Sequence, residues 1–545
     1  MVAPPSYPLP ALHPFTGMDA WSMLVARAEL TPEAPFLTWQ PFAGPTRSWS
    51  YRSFAVDARS VAAGLRHLGV RGGDRVIIHM ENCPEFPIAW FACAALGAVA
   101  VTTNARSAAD EMRYFAEDSE AVGAITQSRF EGLVSEAATH LKWCIVVDEE
   151  AAGGDSRGDE ESWTSLFRDP SNVPDRVPEP GRPMSVQYTS GTTSRPKGVV
   201  WTHANALWAA RINSAHEYLV GSDCHLISMP LFHANAFAYS LLPTIWVGGR
   251  AVLMPKWSTS RFWDVSRAHG CTWASLMGLS NRAVLGLDPP DAHSYRYFGS
   301  LAVNPEFEER FGVSTIGWWG MTETVSHGIV SNPWQPTLPM TIGRPAPEYD
   351  VRVVGPDEVT TVAPGETGSL QIRGVPGLSM FAEYLNQPAA TADSHDAEGW
   401  FRTGDLVTMQ PDGCISFADR VKDMLRVGSE NVAASEIERV ILEVSGVQEA
   451  AVVGRPDPTL DEVPVAFVVG SGDDLADRVA AACQGKLADF KVPRQVSVVR
   501  ALPRSTISKV NKATLRSFLA ADTPLEGQEE EWVRQAATDP SGDAH

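Results

Sequence analysis

The 545-residue sequence lacks both an excess of positive charge and paired cysteines. Its formal net charge is −21, so the polyanionic backbone of a nucleic acid would be repelled, and we expect no nucleic-acid binding. The seven cysteines are scattered without a Cys-x-x-Cys pair. That spacing argues against a zinc ribbon or a disulfide framework and is typical of the reducing cytoplasm, which is the predicted location.

Long apolar runs and a secretory leader are also missing. The segment from Met1 to Phe15 carries several prolines and no lysine or arginine, unlike a signal peptide. The longest apolar stretch, Pro87 to Val101, is rich in alanine and shorter than the roughly 20 residues that a membrane-spanning helix needs. We therefore predict a buried helix in this stretch and no membrane anchor.

What the sequence does contain is an alternation of helix and strand patterns. Apolar residues from Phe54 to Leu68 recur at helical spacing, and Arg75–His79 reads as a strand after a Gly-Gly turn. A second strand is predicted at residues 185–188, after a polar connection from 149 to 182. Alternating elements of this kind predict an α/β fold with a substantially parallel sheet.

A smaller unit is predicted near the other end of the chain. Ser435 and Glu438 have the spacing of a capping box, an apolar helical stripe follows, and Ala450–Val453 reads as a strand. We predict a large domain of residues 1–418, a small domain of residues 419–523 and an acidic, flexible tail of residues 524–545.

The most informative segment runs from Tyr188 to Gly198 and reads YTSGTTSRPKG. Glycines let a backbone approach phosphates, hydroxyls donate hydrogen bonds, and a lysine supplies positive charge. The GK[ST] ending of a P-loop is missing. On composition alone, a flexible surface turn remains an equal alternative, since turns favour these residues.

The order of residues in this segment resembles the signature of the adenylate-forming superfamily, which includes acyl-CoA synthetases, peptide-synthetase adenylation domains and luciferases. Further segments match that family's motifs in the right order over more than 300 residues. They are Met229–His233 (acyl pocket), Gly317–Thr324 (adenine and magnesium), Gly399–Leu406 (ribose), Asp419–Asp423 with Gly428–Asn431 (hinge and following loop) and Leu502–Lys509 (C-terminal lysine).

The resemblance implies both a fold and a reaction. The fold would be an α/β adenylate-forming fold with a large N-terminal multi-sheet domain and a small, mobile α+β C-terminal domain. The enzyme would join a small-molecule carboxylic acid to AMP at the expense of ATP and Mg²⁺, release pyrophosphate, and then transfer the acyl group to coenzyme A.

The resemblance also implies roles for individual residues around ATP. The ATP- and AMP-binding residues of the phosphate loop would be Thr189, Ser190, Gly191, Thr192, Thr193 and Lys197. Asp405 would accept hydrogen bonds from both ribose hydroxyls, and Arg420 would help to hold the ribose. Each has an ordinary alternative, a solvated loop acid for Asp405 and an exposed salt bridge for Arg420.

Three more residues would act at the α-phosphate and the adenine. Glu323 would bind the magnesium ion, which prefers oxygen ligands, and Thr322 would contact the α-phosphate. Trp319 occupies the position whose aromatic ring stacks on adenine in the family, although a core aromatic is an alternative. Lys509 would be the catalytic lysine that stabilises the charge developing during adenylation.

The remaining implied roles concern the acyl group and coenzyme A. His233 lies at the entrance of the acyl pocket, where it would be a gate or simply a packed histidine. Lys422 would be the hinge about which the small domain turns between the two steps. The loop of Gly428, Ser429 and Glu430 would lie at the approach of coenzyme A.

Three sites depart from the family pattern. Ser508 replaces the usual glycine before the lysine, Gly428–Glu430 stand where related ligases often have paired glycines, and residues 299–303 replace the Gly-Gly-Ala adenine loop. The first two fall near the approach of coenzyme A, and they leave open a stand-alone adenylating enzyme that passes acyl-AMP to a separate acceptor protein or transferase. Luciferase-like oxidation and a catalytically silent binding protein are more distant alternatives.

The family branch with the greatest resemblance is that of the carnitine or crotonobetaine CoA ligases. It shares Ile342–Arg344, Gly374–Gly377, Glu383–Tyr384, Arg426–Asn431 and the shortened adenine loop. The region from Leu231 to Leu279 is rich in aromatic residues, which favours a bulky hydrophobic or aryl acid if they line a pocket rather than a core.

Overall fold

The computed structural model describes residues 13–107, 109–148, 161–189, 196–277, 279–335, 337–420, 424–427, 430–457, 460–487, 491–504 and 510–520, with Glu530 and Trp532. These residues form two compact units. The first contains the described residues up to 351 together with 371–402, and the second contains 352–370 and those from 403 onwards. Residues 403–418 thus fall in the second unit, and the domain boundary after residue 418 stays a prediction.

The strands of the described chain are numbered in chain order. Up to residue 345 they are β1 (Pro35–Trp39), β2 (Arg47–Ser50), β3 (Arg75–His79), β4 (Val99–Thr102), β5 (Gly123–Gln127), β6 (Cys144–Val147), β7 (Pro183–Thr189), β8 (Lys197–Thr202), β9 (Cys224–Ile227), β10 (Arg250–Leu253), β11 (Trp273–Ser275), β12 (Tyr297–Ser300), β13 (Ser314–Trp319), β14 (Ile329–Val330) and β15 (Arg344–Pro345). Then follow β16 (Asp350–Val354), β17 (Thr367–Arg373), β18 (Glu383–Tyr384), β19 (Phe401–Met409), β20 (Ile415–Arg420), β21 (Met424–Val427), β22 (Glu430–Ala433), β23 (Val447–Asp457), β24 (Asp461–Gly470) and β25 (Gln495–Val498).

The helices are numbered in the same way. They are α1 (Ala20–Leu30), α2 (Tyr51–His67), α3 (Glu85–Leu96), α4 (Ala109–Ser119), α5 (Glu131–Ala137), α6 (His203–His216), α7 (Ala234–Ala236), α8 (Leu242–Val247), α9 (Phe262–His269), α10 (Leu279–Leu285), α11 (Pro305–Phe311), α12 (Pro388–Asp393), α13 (Ala434–Leu442), α14 (Leu475–Lys486) and α15 (Lys512–Ala520). A π-helical turn, Phe237–Leu241, joins α7 to α8. No helix of the described chain is long and apolar enough to cross a membrane.

Two sheets build the first unit. The seven-stranded sheet has the order β18-β8-β7-β4-β3-β5-β6, and its central strands β4, β3 and β5 run parallel. The nine-stranded sheet has the order β15-β14-β13-β12-β11-β9-β10-β1-β2, with parallel pairing from β13 to β1. The predicted largely parallel α/β architecture is confirmed, and β3 has the predicted bounds.

The apolar stretch after residue 84 contains a helix and a strand rather than a helix alone. Helix α3 is buried from Glu85 to Ala95, as predicted, and only its last residue, Leu96, is half-buried. It ends at Gly97, whose φ of 68° is the left-handed conformation that glycine adopts without steric cost. The chain then enters β4, whose four residues are also buried. The prediction of a helix as far as Val101 was therefore wrong for the residues after Gly97.

The second unit contains two further sheets. Strands β16-β17-β19-β20 form one sheet, and β22-β21-β24-β23 with β25 form another. Helix α13 packs its apolar stripe, including Ile437, Val440 and Ile441, into a core with the second sheet. Alternation of buried residues along β23 and β24 places a further core, with Phe467 and Trp532, on the other face.

Candidate functional site

The two ends of the phosphate-loop segment lie side by side. Strands β7 and β8 are antiparallel, and Thr189 pairs with Lys197 at their ends. The pairing therefore holds the two residues that flank the intervening segment side by side. Of the loop residues predicted to bind phosphate, Thr189 and Lys197 are described and half-buried. Ser190, Gly191, Thr192 and Thr193 lie outside the described residues.

Glu323 lies in a short 3-10 turn, Thr322–Thr324, just after β13. Its side chain is buried, and Tyr384 donates a hydrogen bond from its hydroxyl to Glu323 Oε1 over 2.9 Å. Burial, followed by the charge of Glu323, raises the pKa of Tyr384, so the tyrosine remains a donor. The Trp201 indole donates to the Thr322 carbonyl over 2.8 Å, which fixes the backbone of the turn.

Tyr384 connects this turn to the phosphate-loop segment. Its strand, β18, pairs antiparallel with β8, so that Tyr384 lies opposite Val199. Lys197 Nζ lies 4.6 Å from the centroid of the Tyr384 ring, within the range of a cation–π contact. One tyrosine thus contacts both a candidate phosphate-binding lysine and the candidate magnesium-binding carboxylate.

The backbone after Glu323 is strained. Val325 has a φ of 64°, a left-handed conformation that a β-branched residue rarely adopts. Thr324 donates from its hydroxyl to the Met321 carbonyl over 3.1 Å, and Tyr349 donates to the Thr324 carbonyl over 2.7 Å. A Cβ at Gly320 would come within 2.4 Å of the Tyr239 hydroxyl, so only glycine fits there. Packing and hydrogen bonds therefore hold the turn in one shape.

Trp319 ends strand β13, and only 7% of its surface is exposed. Its ring packs closely over Gly328, where an added Cβ would lie 3.1 Å from the indole. This placement is compatible with an adenine-stacking residue and equally with a core aromatic. Both sequence-based interpretations of Trp319 therefore stay open.

The predicted ribose residues lie in the second unit. Asp405 on β19 pairs with Arg420 on β20, so the backbone places the two residues opposite each other. The Asp405 side chain is buried, and its backbone N–H donates to the Thr403 hydroxyl over 3.1 Å. The side chain of Arg420 lies outside the described part of the chain.

His233 immediately precedes α7 and is half-buried, with its ring centroid 4.6 Å from that of Phe232. Its carbonyl accepts a hydrogen bond from Phe237 over 3.2 Å, which starts the helical segment that runs through the π turn. Four other predicted residues, Lys422, Gly428, Ser429 and Lys509, lie outside the described residues. Glu430 begins β22, but its side chain is not described.

Tyr384 was not among the predicted site residues. In the sequence, Glu383–Tyr384 is distinctive only as a feature shared with the family branch. Its contact with Glu323 depends on the pairing of β18 with β8, more than 180 residues earlier in the chain. A lone tyrosine in a two-residue strand offers no local pattern from which such a contact can be predicted.

The residues present fit a magnesium ion that is held mainly by substrate. Among the described residues, no group of three or more His, Cys, Asp or Glu side chains could cage a metal. Mg²⁺ in phosphoryl-transfer sites is commonly bound by one or two carboxylates together with substrate phosphates. The single buried carboxylate of Glu323, oriented by Tyr384, meets that requirement.

Comparison with known proteins identifies the class to which this fold and site belong. The AMP-binding enzyme family matches residues 24–385, and the AMP-binding enzyme C-terminal domain matches residues 436–509. The chain belongs to the AMP-binding enzyme family, within the adenylate-forming superfamily that its motifs resemble.

The named relatives are acid–CoA ligases. The crotonobetaine/carnitine–CoA ligase of Salmonella paratyphi B is 32% identical over 499 residues, or 88% of this chain and 95% of that protein. The O-succinylbenzoate coenzyme A synthetase of Bacillus subtilis, solved with AMP, superposes with a TM-score of 0.79 at 26% identity over 92% of this chain and 98% of its own. An anthranilate CoA ligase solved with anthranoyl-AMP gives a TM-score of 0.83 at 25% identity, covering 93% and 98% of the two chains. The predicted fold and the branch resemblance are confirmed.

Proposed function

We propose that this chain is an ATP-dependent acid–coenzyme A ligase that forms AMP and pyrophosphate. The observation that carries the proposal is the arrangement around Tyr384, which brings Lys197 at the edge of the phosphate-loop segment and the buried carboxylate of Glu323 to one side chain. Family membership and the activities named for the relatives support the same reaction.

In the first step, a carboxylate oxygen of the acid attacks the α-phosphorus of ATP, the bond to pyrophosphate breaks, and acyl-AMP forms. Thr189, Ser190, Gly191, Thr192, Thr193 and Lys197 would bind the departing phosphates. Thr322 would contact the α-phosphate, Trp319 the adenine, and Asp405 with Arg420 the ribose. Glu323 would hold Mg²⁺, which when bound offsets phosphate charge. A magnesium ion is present with ATP in a structure of the Bacillus subtilis synthetase.

Lys509 would supply the positive charge that stabilises the first transition state. In the second step, the thiol of coenzyme A attacks the acyl carbon, AMP leaves, and the thiol proton is released. Lys422 would act as the hinge between the steps, and Gly428, Ser429 and Glu430 would border the coenzyme A approach. His233 would lie at the acyl-pocket entrance.

The alternative of a stand-alone adenylating enzyme predicts acyl-AMP as the final product. The activities for which the relatives are named are those of CoA ligases, so a separate acceptor protein or transferase has no support from them. The acid is proposed to be bulky and hydrophobic or aryl. One structural relative was solved with anthranoyl-AMP, the adenylate of an aryl acid, whereas other relatives are named for crotonobetaine and carnitine. We also propose a cytoplasmic location, because the seven cysteines form no disulfide.

The test is a panel of carboxylic acids with Mg-ATP, with and without coenzyme A, following pyrophosphate release and acyl product by mass. A thioester that appears only with coenzyme A would support the full ligase reaction. Acyl-AMP that accumulates unchanged would instead favour the stand-alone enzyme, and no ATP consumption with any acid would contradict both.

The variant that tests the adenylation step is Lys509→Ala, and Lys486→Ala is its control. Lys486 is a surface lysine that pairs with Glu443 over 2.6 Å, and its loss should leave activity unchanged. Lys509→Ala should slow adenylation by roughly two or more powers of ten, because a positioned charge is removed from the transition state. Wild-type ATP–pyrophosphate exchange in Lys509→Ala would contradict the assignment.

A further inference from the structure

Helix α4 presents two polar side chains to the phosphate-loop segment. Tyr114 and Asp118 are four residues apart, so they lie on one face of the helix. The Tyr114 hydroxyl donates a hydrogen bond to the carbonyl of Pro196, just before β8, over 3.0 Å. The Asp118 carboxylate accepts from the hydroxyl of Tyr188, near the end of β7, over 2.8 Å. One helix face therefore holds both flanks of the segment.

Aromatic packing reinforces the contact between Tyr188 and the helix. The ring centroid of Tyr188 lies 4.4 Å from that of the buried Phe115 and 6.0 Å from that of Tyr114. Burial, followed by the charge of Asp118, raises the pKa of Tyr188, so its hydroxyl stays protonated and remains a donor. The end of β7 is therefore held on α4 by packing as well as by a hydrogen bond.

The same helix also contacts the residues that follow Tyr384. Asn386 donates from its side-chain amide to the backbone carbonyl of Asp118 over 2.6 Å. Strands β18, β8 and β7 are neighbours, and each is antiparallel to the next, so all these contacts lie at one edge of the sheet. Lys197 meets the Tyr384 ring at that edge. Helix α4 therefore supports three strand ends around the candidate phosphate-binding lysine.

The hydrogen bond to Pro196 bears directly on Lys197, which is the next residue of the chain. Tyr114 holds the backbone immediately before this lysine, and the Tyr384 ring lies 4.6 Å from its Nζ. The lysine is thus restrained both at its backbone and at its charged end. A side chain that is already ordered loses less conformational freedom when a ligand binds, so it contributes more to affinity.

We propose that Tyr114 is a positioning residue for ATP, which fixes the backbone before Lys197 and so places the charge of that lysine for the β- and γ-phosphates. This inference rests on the proposed acid–CoA ligase function and adds to it a residue from outside the motif segments. Tyr114 acts through Lys197 rather than through a contact of its own with ATP. AMP lacks the β- and γ-phosphates, so the role predicts an effect on ATP binding and none on AMP binding.

The first test measures the binding of Mg-ATP and of AMP to the full chain by isothermal titration calorimetry, without acid or coenzyme A. Tyr114→Phe keeps the ring and removes the hydroxyl. We expect its Kd for Mg-ATP to rise by about two- to tenfold, the range that one neutral hydrogen bond contributes, while its Kd for AMP is unchanged. Unchanged Mg-ATP binding, or equal weakening of both nucleotides, would overturn the positioning role. A wild-type chain that binds neither nucleotide would instead contradict the proposed function.

The matched control is Tyr51→Phe, because Tyr51 is a buried tyrosine whose hydroxyl donates to the carbonyl of Gly249 over 2.6 Å. It should lower the thermal midpoint, since a buried hydrogen bond is lost, and leave both affinities unchanged. A selective loss of Mg-ATP affinity in Tyr51→Phe would count against a specific role for Tyr114.

A double variant tests whether Tyr114 acts through Lys197. Lys197→Ala should weaken Mg-ATP binding, and adding Tyr114→Phe to it should cause little further loss, because the side chain that Tyr114 positions is already gone. Losses that add fully, or a Lys197→Ala variant that binds Mg-ATP as the wild type does, would overturn the proposal.

Discussion

Replacing Tyr384 by phenylalanine would remove a single hydroxyl from the candidate site and leave the aromatic ring in place. The ring would still face Lys197, so the cation–π contact at 4.6 Å is retained. What is lost is the 2.9 Å hydrogen bond to the buried carboxylate of Glu323. A hydrogen bond to a charged group contributes about 1.5–3 kcal/mol, equivalent to roughly 10- to 150-fold in a rate or binding constant.

We expect adenylation by Tyr384→Phe to fall by about tenfold or more, since the carboxylate of Glu323 is no longer oriented by a hydrogen bond. The assay is ATP–pyrophosphate exchange at saturating ATP and acid, repeated over a range of Mg²⁺ concentrations. Tyr295→Phe is the control, because Tyr295 is a buried tyrosine that shares a 2.6 Å hydrogen bond with Ser266 in the core. Tyr295→Phe should retain activity even if stability declines. Unchanged exchange by Tyr384→Phe at every Mg²⁺ concentration would refute the positioning role.

Two further predictions follow from the close packing and burial of the first unit. Gly320→Ala should reduce acyl-AMP formation by roughly tenfold or more, because its Cβ would lie 2.4 Å from the Tyr239 hydroxyl and the Glu323 turn would have to move. Gly132→Ala has open space around its Cβ and should leave activity unchanged; equal activity of the two variants would be evidence against the steric argument. Burial lowers the pKa of His79 and of His225 from 6.5 to about 3. Below pH 6.5 the unfolded chain therefore binds protons that the native chain excludes, and the free energy of unfolding should fall by about 1.4 kcal/mol per pH unit for each histidine. Urea unfolding at pH 7.5 and 5.5 measures this, and equal stability at the two values would contradict it.

Elements with a strong local pattern were predictable from sequence. Arg75–His79 has apolar residues flanked by a Gly-Gly turn, and it forms β3 with the predicted bounds. The capping box at Ser435 was predicted on equally local grounds and was wrong. Helix α13 already begins at Ala434, and the Ser435 hydroxyl donates to the carbonyl of Ala418, while the Glu438 carboxylate accepts from the Val452 backbone over 2.7 Å. Hydrogen bonds to residues distant in the sequence therefore replace the predicted capping box.

Some residues of the candidate site could likewise be predicted from a local sequence pattern, and others could not. Thr322 and Glu323 could be singled out because a run of eight residues resembles a family motif. Tyr384 could not, since its role arises where distant strands pair. The left-handed backbone of Val325 was also unpredictable, because valine disfavours that conformation and only the surrounding hydrogen bonds and packing maintain it.

The pairing of β1 with β10 has a consequence for biosynthesis. Leu37 lies beside Ala251, so the N-terminal hairpin of β1 and β2 joins its sheet only after some 200 further residues have been translated. At about 5–20 residues per second, the hairpin would wait roughly 10–40 seconds with an unpaired edge. Exposed edges invite pairing with other chains, so this interval is when nascent chains are most open to aggregation or chaperone capture. Ribosome stalling before residue 250 should therefore leave the hairpin sensitive to protease, and stalling well beyond it should protect the hairpin.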